Sequence, residues 1–458
     1  MTDLSSFVEE LNKMMGPISS SKNEIVKPLE PSSVPSSIHS SVPSGTSTKT
    51  VKLLLVTTHT NQVNGYSKVA FNLLKELASH KWLSVVHFGT QKMATADLER
   101  ILPSPVKSID GSALDKEKQG TGFALMELSS TIMTEKPDVV FIYNDLSIVC
   151  AYIESIRKAI DVRTFKIWTY LDITSHGLPS TMIDIINRDV DRVFSFTKGW
   201  KDSLKTQGII RPVDVMPHGV DSKMFRPIPR DVARQTLGLP KDVFLFTSMN
   251  KNIPRKRLDL LIMSFVKLMV KYPMKNIFML IVADKGDRGG FQLFDIFARE
   301  IKVNGGTVDM YGNRLLITSK DTCYKDDDIN VLYNCGDVGV SCAEGEGFGL
   351  CTFEQMSVGV PQIVPDICGY SEYCTKDNSI LVKPKARHYL PQAYTPITGQ
   401  VEVVDTEDFS KAMERYVFDE ELRKRHGVAS AEMVAKYTWS SYTAVLIKRL
   451  RVLQEDDD

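Results

Sequence analysis

The segment CAEGEGFGLCTFEQ, Cys342 to Gln355, sets three carboxylates and three glycines between an apolar run, VGVS, and a helical pattern. A turn that leaves the carboxyl end of a buried strand and opens a helix is where open α/β sheets hold ligands. Gly345, Gly347 and Gly349 let backbone approach a bound molecule closely. The N–H groups of Gly349, Leu350 and Cys351 would open the helix with donors that have no intrahelical acceptor, which is a seat for phosphate. Glu346 and Glu354 would repel a phosphate, so they must meet another part of the ligand. A carboxylate in the first helical turn can accept hydrogen bonds from vicinal ribose hydroxyls, which suits Glu354, and Glu346 in the turn can face a hydroxylated sugar. Phosphate, ribose and sugar together describe a nucleotide sugar. Taken alone, the glycines could serve only the turn, and Glu354 only the helix N-terminus.

A cationic partner stands in the same half of the chain, in SMNKNIPRKRLDLL, where Lys251 and Lys256 flank a turn holding Pro254. Either could neutralise a diphosphate whose charge builds as a bond to it breaks. The summed charge offers no substitute for such local cations, because lysine plus arginine equals aspartate plus glutamate at 56 each over 458 residues. That balance leaves no summed field favouring nucleic acid or an anionic membrane, so no nucleic-acid partner is expected, and membrane contact is left open only as a peripheral one.

The elements that must position these residues are legible in the hydrophobic rhythm. From Val51 onward, KLLLVTTH, SVVHFG, DVVFIYND, FKIWTYLD, RVFSFT and VDVMPHG alternate with helical stretches, the first of them starting at Tyr66. After Phe225 a second series follows: VFLFTSMN, NIFMLIVAD, NRLLIT, VGVSCAE, VPQIVP and SILVKP, with helices such as LDLLIMSFVKLMVKY between them. This predicts an α/β protein of two doubly wound, parallel-sheet halves, joined through HGVDSKMFRPIP. Ahead of both, Leu4, Phe7, Val8, Leu11 and Met15 recur at helical spacing, and PLEPSSVPSSIHSSVPSGTSTKT is too poor in apolar residues to build a core. Seven scattered cysteines without a CxxC pair fit a reducing compartment, so a cytoplasmic protein is expected. No apolar run approaches the roughly 20 residues that span a bilayer. Asp326, Asp327 and Asp328 read as the acidic start of a helix rather than a metal clamp, and the histidines show no metal-binding spacing. DKGDRGGF, Asp284 to Phe291, reads as a loop.

With these residues in place, the chain from Val51 to Leu453 resembles the family-4 retaining glycosyltransferases, which have the GT-B architecture of two Rossmann-like domains facing across a cleft. The E-x7-E pair, Glu346 and Glu354, carries the likeness most specifically. Lys251 and Lys256 stand where the family usually has an arginine and a lysine, so the first position lacks a forked donor. VMPHGVDSKMFRP is similar to the interdomain signature, with His218 where an asparagine is usual, and YTWSSYTAVLIKRL to the closing helix that returns to the first domain. The family's paired glycines after the first strand appear only as Gly65 behind Asn64. Its histidine-aspartate pair at a strand end of the first domain becomes Leu171 and Asp172, with His176 a turn further on.

Composition marks a Ser/Pro-rich segment at 1–49, and the resemblance implies an acceptor domain at 50–222, a donor domain at 223–435 and a returning helix at 436–458, where the chain closes on an acidic tail. It implies sugar transfer from a nucleoside-diphosphate sugar to a hydroxyl of an unidentified glycan, protein or lipid acceptor, with retention at the anomeric carbon and no obligatory metal or cofactor. Lys251 and Lys256 would stabilise the leaving diphosphate, and Glu346 the donor sugar and its developing positive charge. Glu354 would bind ribose, with Gly65 a donor contact from the first half. The backbone from Gly347 through Phe348 and Gly349 to Leu350 would complete the seat, and Asp172 would meet a hydroxyl from across the cleft. A nucleotide-sugar epimerase or hydrolase of the same architecture, and a scaffold that binds the donor without turnover, remain alternatives at this point. Removing residues 1–49 should leave donor binding intact, measured by calorimetry with a nucleoside diphosphate; loss of binding would show that this segment belongs to the fold.

Overall fold

A computed structural model of the protein describes residues 50–93, 100–114, 122–283, 290–318, 324–391 and 399–455. The expected N-terminal helical stripe and Ser/Pro-rich segment lie outside them, as does most of the Asp284–Phe291 loop.

The first half contributes β1 (Val51–Thr58), β2 (Leu83–Thr90), β3 (Lys107–Asp110), β4 (Val139–Asp145), β5 (Lys166–Asp172), β6 (Arg192–Ser195) and β7 (Val213–Val215). These pair in parallel in the order β3-β2-β1-β4-β5-β6-β7. The second half contributes β8 (Phe244–Met249), β9 (Ile277–Val282), β10 (Leu315–Ile317), β11 (Val338–Val340), β12 (Gln362–Pro365) and β13 (Ser379–Val382), in the order β10-β9-β8-β11-β12-β13, again parallel. Both sheets are wound outward from a central pair, β1/β4 and β8/β11, and such switch points open a crevice at the strands' carboxyl ends. In β1, Leu53 and Leu55 enter one core and Leu54 and Val56 another, which is why the strand reads as an unbroken apolar run.

Three strands were not expected from the sequence. β3 is short, with no fully buried residue, so it carries no apolar signature. β14 (Ala386–Tyr389) and β15 (Gln400–Val403) form an antiparallel hairpin whose first strand, ARHY, is exposed throughout. This hairpin leaves the second half to reach the first: Gln400 and His176 exchange backbone hydrogen bonds of 2.7 and 2.9 Å.

Other ties join the halves. The helix Trp439–Glu455 packs on the helix Gly65–Leu77, and Arg449 meets the Asp214 carboxylate of β7 through two bonds of 2.7 and 2.8 Å. One apolar cluster runs through the seam, with Phe194, Phe196 and Trp439 beside Phe348, Phe353 and Tyr373. His218 lies inside it, its ring 4.7 Å from that of Phe348, and burial lowers its pKa to about 3, so it is neutral there.

After β11 the EGEGFGL turn leads to the helix Leu350–Ser357, whose cap, Gly349, has φ +78°. A Cβ on Gly349 would come within 2.5 Å of the Tyr370 ring and 2.8 Å of the Tyr373 hydroxyl. Both the left-handed backbone and the lack of space therefore select glycine. Gly349→Ala should cost at least ~2 kcal/mol of stability through backbone strain and overpacking. A lowered thermal midpoint would show it; an unchanged midpoint would contradict this reading of the turn.

Candidate active site

A cavity of about 350 Å³ lies between the two halves. Its walls include Asn64, Gly65 and Lys68 from the first half and Lys251, Arg255, Lys256, Glu346, Gly349, Leu350 and Glu354 from the second. Gly65 sits at the start of the helix after β1, where a Cβ would meet only Leu350, at 3.7 Å. The lysines come from the turn after β8, where residues Pro254–Lys256 form a single 3-10 turn before the helix Leu258–Lys271. Lys251 is exposed at the cavity's edge.

Glu346 turns its carboxylate to Lys256 Nζ at 2.6 Å and Arg255 Nη1 at 2.8 Å. Burial works to raise its pKa, but the two cations outweigh burial and hold the carboxyl below its usual range. Arg255 also donates to the Gly345 carbonyl, so the turn after β8 clamps the glycine loop. Glu354, 3% exposed, receives Lys68 Nζ at 2.9 and 3.1 Å and the Tyr333 hydroxyl at 2.8 Å. Burial is the larger influence on Glu354 and raises its pKa, while Lys68 and Tyr333 pull it back.

Lys68 is itself held from several sides. Asp326 lies 3.4 Å from its ammonium, and the Phe225 ring centroid 4.6 Å away offers its negative face. Burial opposes its charge, but Glu354 and Asp326 raise its pKa on balance. Arg100 approaches Asp326 at 3.4 Å and donates to the Ser67 hydroxyl at 2.9 Å. Glu354 of the second half is thus capped by a cation of the first.

Three expected contacts, Phe348, Gly347 and Asp172, lie outside the cavity lining. The Phe348 ring is buried against His218, Phe353 and Tyr373, leaving only its backbone for the seat. Gly347 faces the first half, where a Cβ would meet Asp172 Oδ1 at 1.9 Å. Gly345 makes a similar approach to the Thr174 carbonyl, at 2.0 Å. These two glycines let the halves close on each other.

Asp172 ends β5 and accepts a hydrogen bond from Tyr66 at 2.7 Å, while the same hydroxyl lies 2.9 Å from Asp145 at the end of β4. Lys68, Arg100, Arg255, Tyr66, Asp145 and Tyr333 were not singled out from the sequence. Arg255 stood beside Lys256 in the basic turn, and Asp326 was assigned to a helix start, which it does open. For Lys68, in the helix after Gly65, the one available cue was its place in the first turns of a helix at a switch point.

Comparison with known proteins agrees with this architecture. Residues 241–395 match the family described as glycosyl transferases group 1. Among curated relatives, the lipopolysaccharide core biosynthesis mannosyltransferase of Rhizobium meliloti is 28% identical over 165 residues, 36% of this chain and 43% of the relative. The D-inositol 3-phosphate glycosyltransferase of Saccharomonospora viridis is 24% identical over 272 residues, 57% of this chain and 54% of the relative. The chain thus spans about half the length of the curated relatives it matches. Among solved structures, the sucrose-phosphate synthase of Thermosynechococcus elongatus superposes with a TM-score of 0.65 at 17% identity, over 88% of this chain and 99% of that one. Anabaena HepE in complex with UDP and glucose gives 0.64 at 14% identity, over 88% and 100%. Two Rossmann-like sheets facing across a cleft give this protein a GT-B fold, and the match to glycosyl transferases group 1 falls on the half that carries Glu346 and Glu354.

Proposed function

We propose that the protein transfers a sugar from a nucleoside-diphosphate sugar to an acceptor hydroxyl with retention at the anomeric carbon, as a family-4, hexosyltransferase-type enzyme. The observation that carries this reading is the convergence of Glu346, Glu354, Lys251 and Lys256 on one cavity between the halves. Lys251 and Lys256 meet the diphosphate, joined by the N–H groups that open the helix Leu350–Ser357. Glu346, kept ionised by Lys256 and Arg255, stands where positive charge develops on the departing sugar. Glu354 binds the ribose hydroxyls, for which they compete with Lys68. UDP-glucose is the first donor to test, since an Anabaena HepE structure holds it. Among the described residues no helix is long and apolar enough to cross a membrane.

The two glutamates separate in kinetics under these roles. Glu346→Gln should lower kcat by about 10²-fold or more with nucleotide affinity largely retained. Glu354→Ala should chiefly weaken donor binding, seen as a raised KM and a raised calorimetric Kd for UDP. Equal, purely affinity-based losses at both positions would contradict the assignment. Lys256→Ala should weaken retention of the diphosphate product as well as slow transfer, and unchanged nucleoside-diphosphate affinity would remove it from the phosphate site.

A further inference from the structure

The cluster Asp145–Tyr66–Asp172 lies outside the cavity and contains more acceptors than protons. Tyr66 has one hydroxyl proton, and its oxygen stands within hydrogen-bond distance of two carboxylates. Ionised carboxylates only accept, so two of them cannot both be satisfied by one phenol. A proton on one carboxyl, donated to the phenol oxygen, resolves this deficit. The surroundings decide which. Asp172 Oδ1 is buried, has no hydrogen-bond partner, and abuts Gly347. Asp145 is the more exposed of the two; burial raises its pKa as well, but Tyr66 and Arg255 pull it back and no neighbouring carboxylate adds to the rise.

We propose that these residues form a directed chain, Asp172 Oδ2–H to the Tyr66 oxygen and Tyr66 O–H to Asp145 Oδ1, that presents the ionised Asp145 to the hydroxyls of a neutral, polyhydroxylated acceptor. This rests on the glycosyl-transfer reading for its substrate, but not for its proton. Asp145 ends β4 at the switch point of the first sheet, on the cleft side shared with Glu346 and Arg255. A carboxylate there can accept from one hydroxyl or a vicinal pair, and it repels a phosphorylated group. Arg255, the cation acting on both aspartates, is already committed to Glu346 and the Gly345 carbonyl.

Several charges and phenols face Asp172: Tyr66, Tyr143 and Tyr170, the carboxylates of Asp145 and Glu346, and Arg255. Burial first, then Asp145, pushes its pKa up to about 7, against the pull of Tyr66 and Arg255. Tyr66 stays protonated, since burial and Asp172 raise its own pKa well above the usual value. The chain therefore loses its proton as pH rises through about 7, and it loses its ionised end when Asp145, whose pKa burial also raises, protonates at lower pH. Asp172 acts through Tyr66 and is a positioning residue, whereas Asp145 is the group that would touch the acceptor.

The proton is tested without substrate by infrared spectroscopy of the full chain. A protonated-carboxyl band should be present at pH 6, fade with a midpoint near 7, and be missing from Asp172→Asn; a band unaffected by this substitution would overturn the chain. The acceptor class is tested by saturation-transfer NMR on the UDP-loaded protein with glucose and glucose 6-phosphate as probes. Glucose should receive saturation in preference to the phosphate, with at least about tenfold weaker binding in Asp145→Asn. Preference for glucose 6-phosphate, contact with neither probe, or equal glucose binding in the variant would each overturn the acceptor assignment. In transfer assays Asp172→Ala should lose at least tenfold. Asp172→Asn, whose amide can still donate to Tyr66, should recover most of that and flatten the fall in rate above pH 7. Failure of the wild-type protein to bind UDP would count against glycosyl transfer itself and leave the infrared result standing.

Discussion

A carboxylate buried at a seam between two sheets must be met by a cation, and Glu354 is met by one from the opposite half. Its side chain is 4% exposed, and leaving such a charge unpaired costs several kcal/mol. Lys68 supplies the pairing, steadied in turn by Asp326 and Phe225, while Glu346 takes its cations from the turn after β8. The seam is thus an electrostatic circuit in which separating the halves strands Glu354. A ribose that offers two hydroxyls to this carboxylate would replace Lys68 rather than merely fill space. Under the proposed ribose role, donor binding and the relative placement of the two halves would be coupled through that one exchange.

Close approach makes the circuit possible. Asp172 Oδ1 and the Thr174 carbonyl stand where side chains at positions 347 and 345 would otherwise be. The Trp200 indole of the first half donates to the Glu346 backbone carbonyl at 3.0 Å, fixing the glycine loop from the other side. Around these polar contacts the aromatic cluster of Phe196, His218, Phe348 and Trp439 excludes water, which strengthens every charge interaction nearby.

What could be read from the sequence was local. The turn between β11 and its helix announces itself by glycine spacing and by glutamates placed within one supersecondary unit, and buried parallel strands announce themselves as apolar runs. The Lys68–Glu354 pair joins residues 286 positions apart, and nothing in either neighbourhood specifies the other. Asp326 shows a different limit, since a single residue both opens a helix and faces Lys68 and Arg100, and the local role hides the distant one. The Tyr66 cluster depends on the ends of β4 and β5 meeting the first helix, which only the strand order fixes. Phe348 was expected to contribute backbone to the seat, and the sequence left open where its ring goes, which is into the core. The hairpin of β14 and β15 was invisible because its exposed residues carry no hydrophobic alternation.

The most direct test of this account is a crystal structure of the protein with UDP bound. The account predicts the ribose hydroxyls on Glu354 with Lys68 displaced from it, and the diphosphate between Lys251, Lys256 and the start of the helix Leu350–Ser357. UDP bound elsewhere, or in the cleft with the Lys68–Glu354 pair intact and the lysines of the β8 turn untouched, would contradict it.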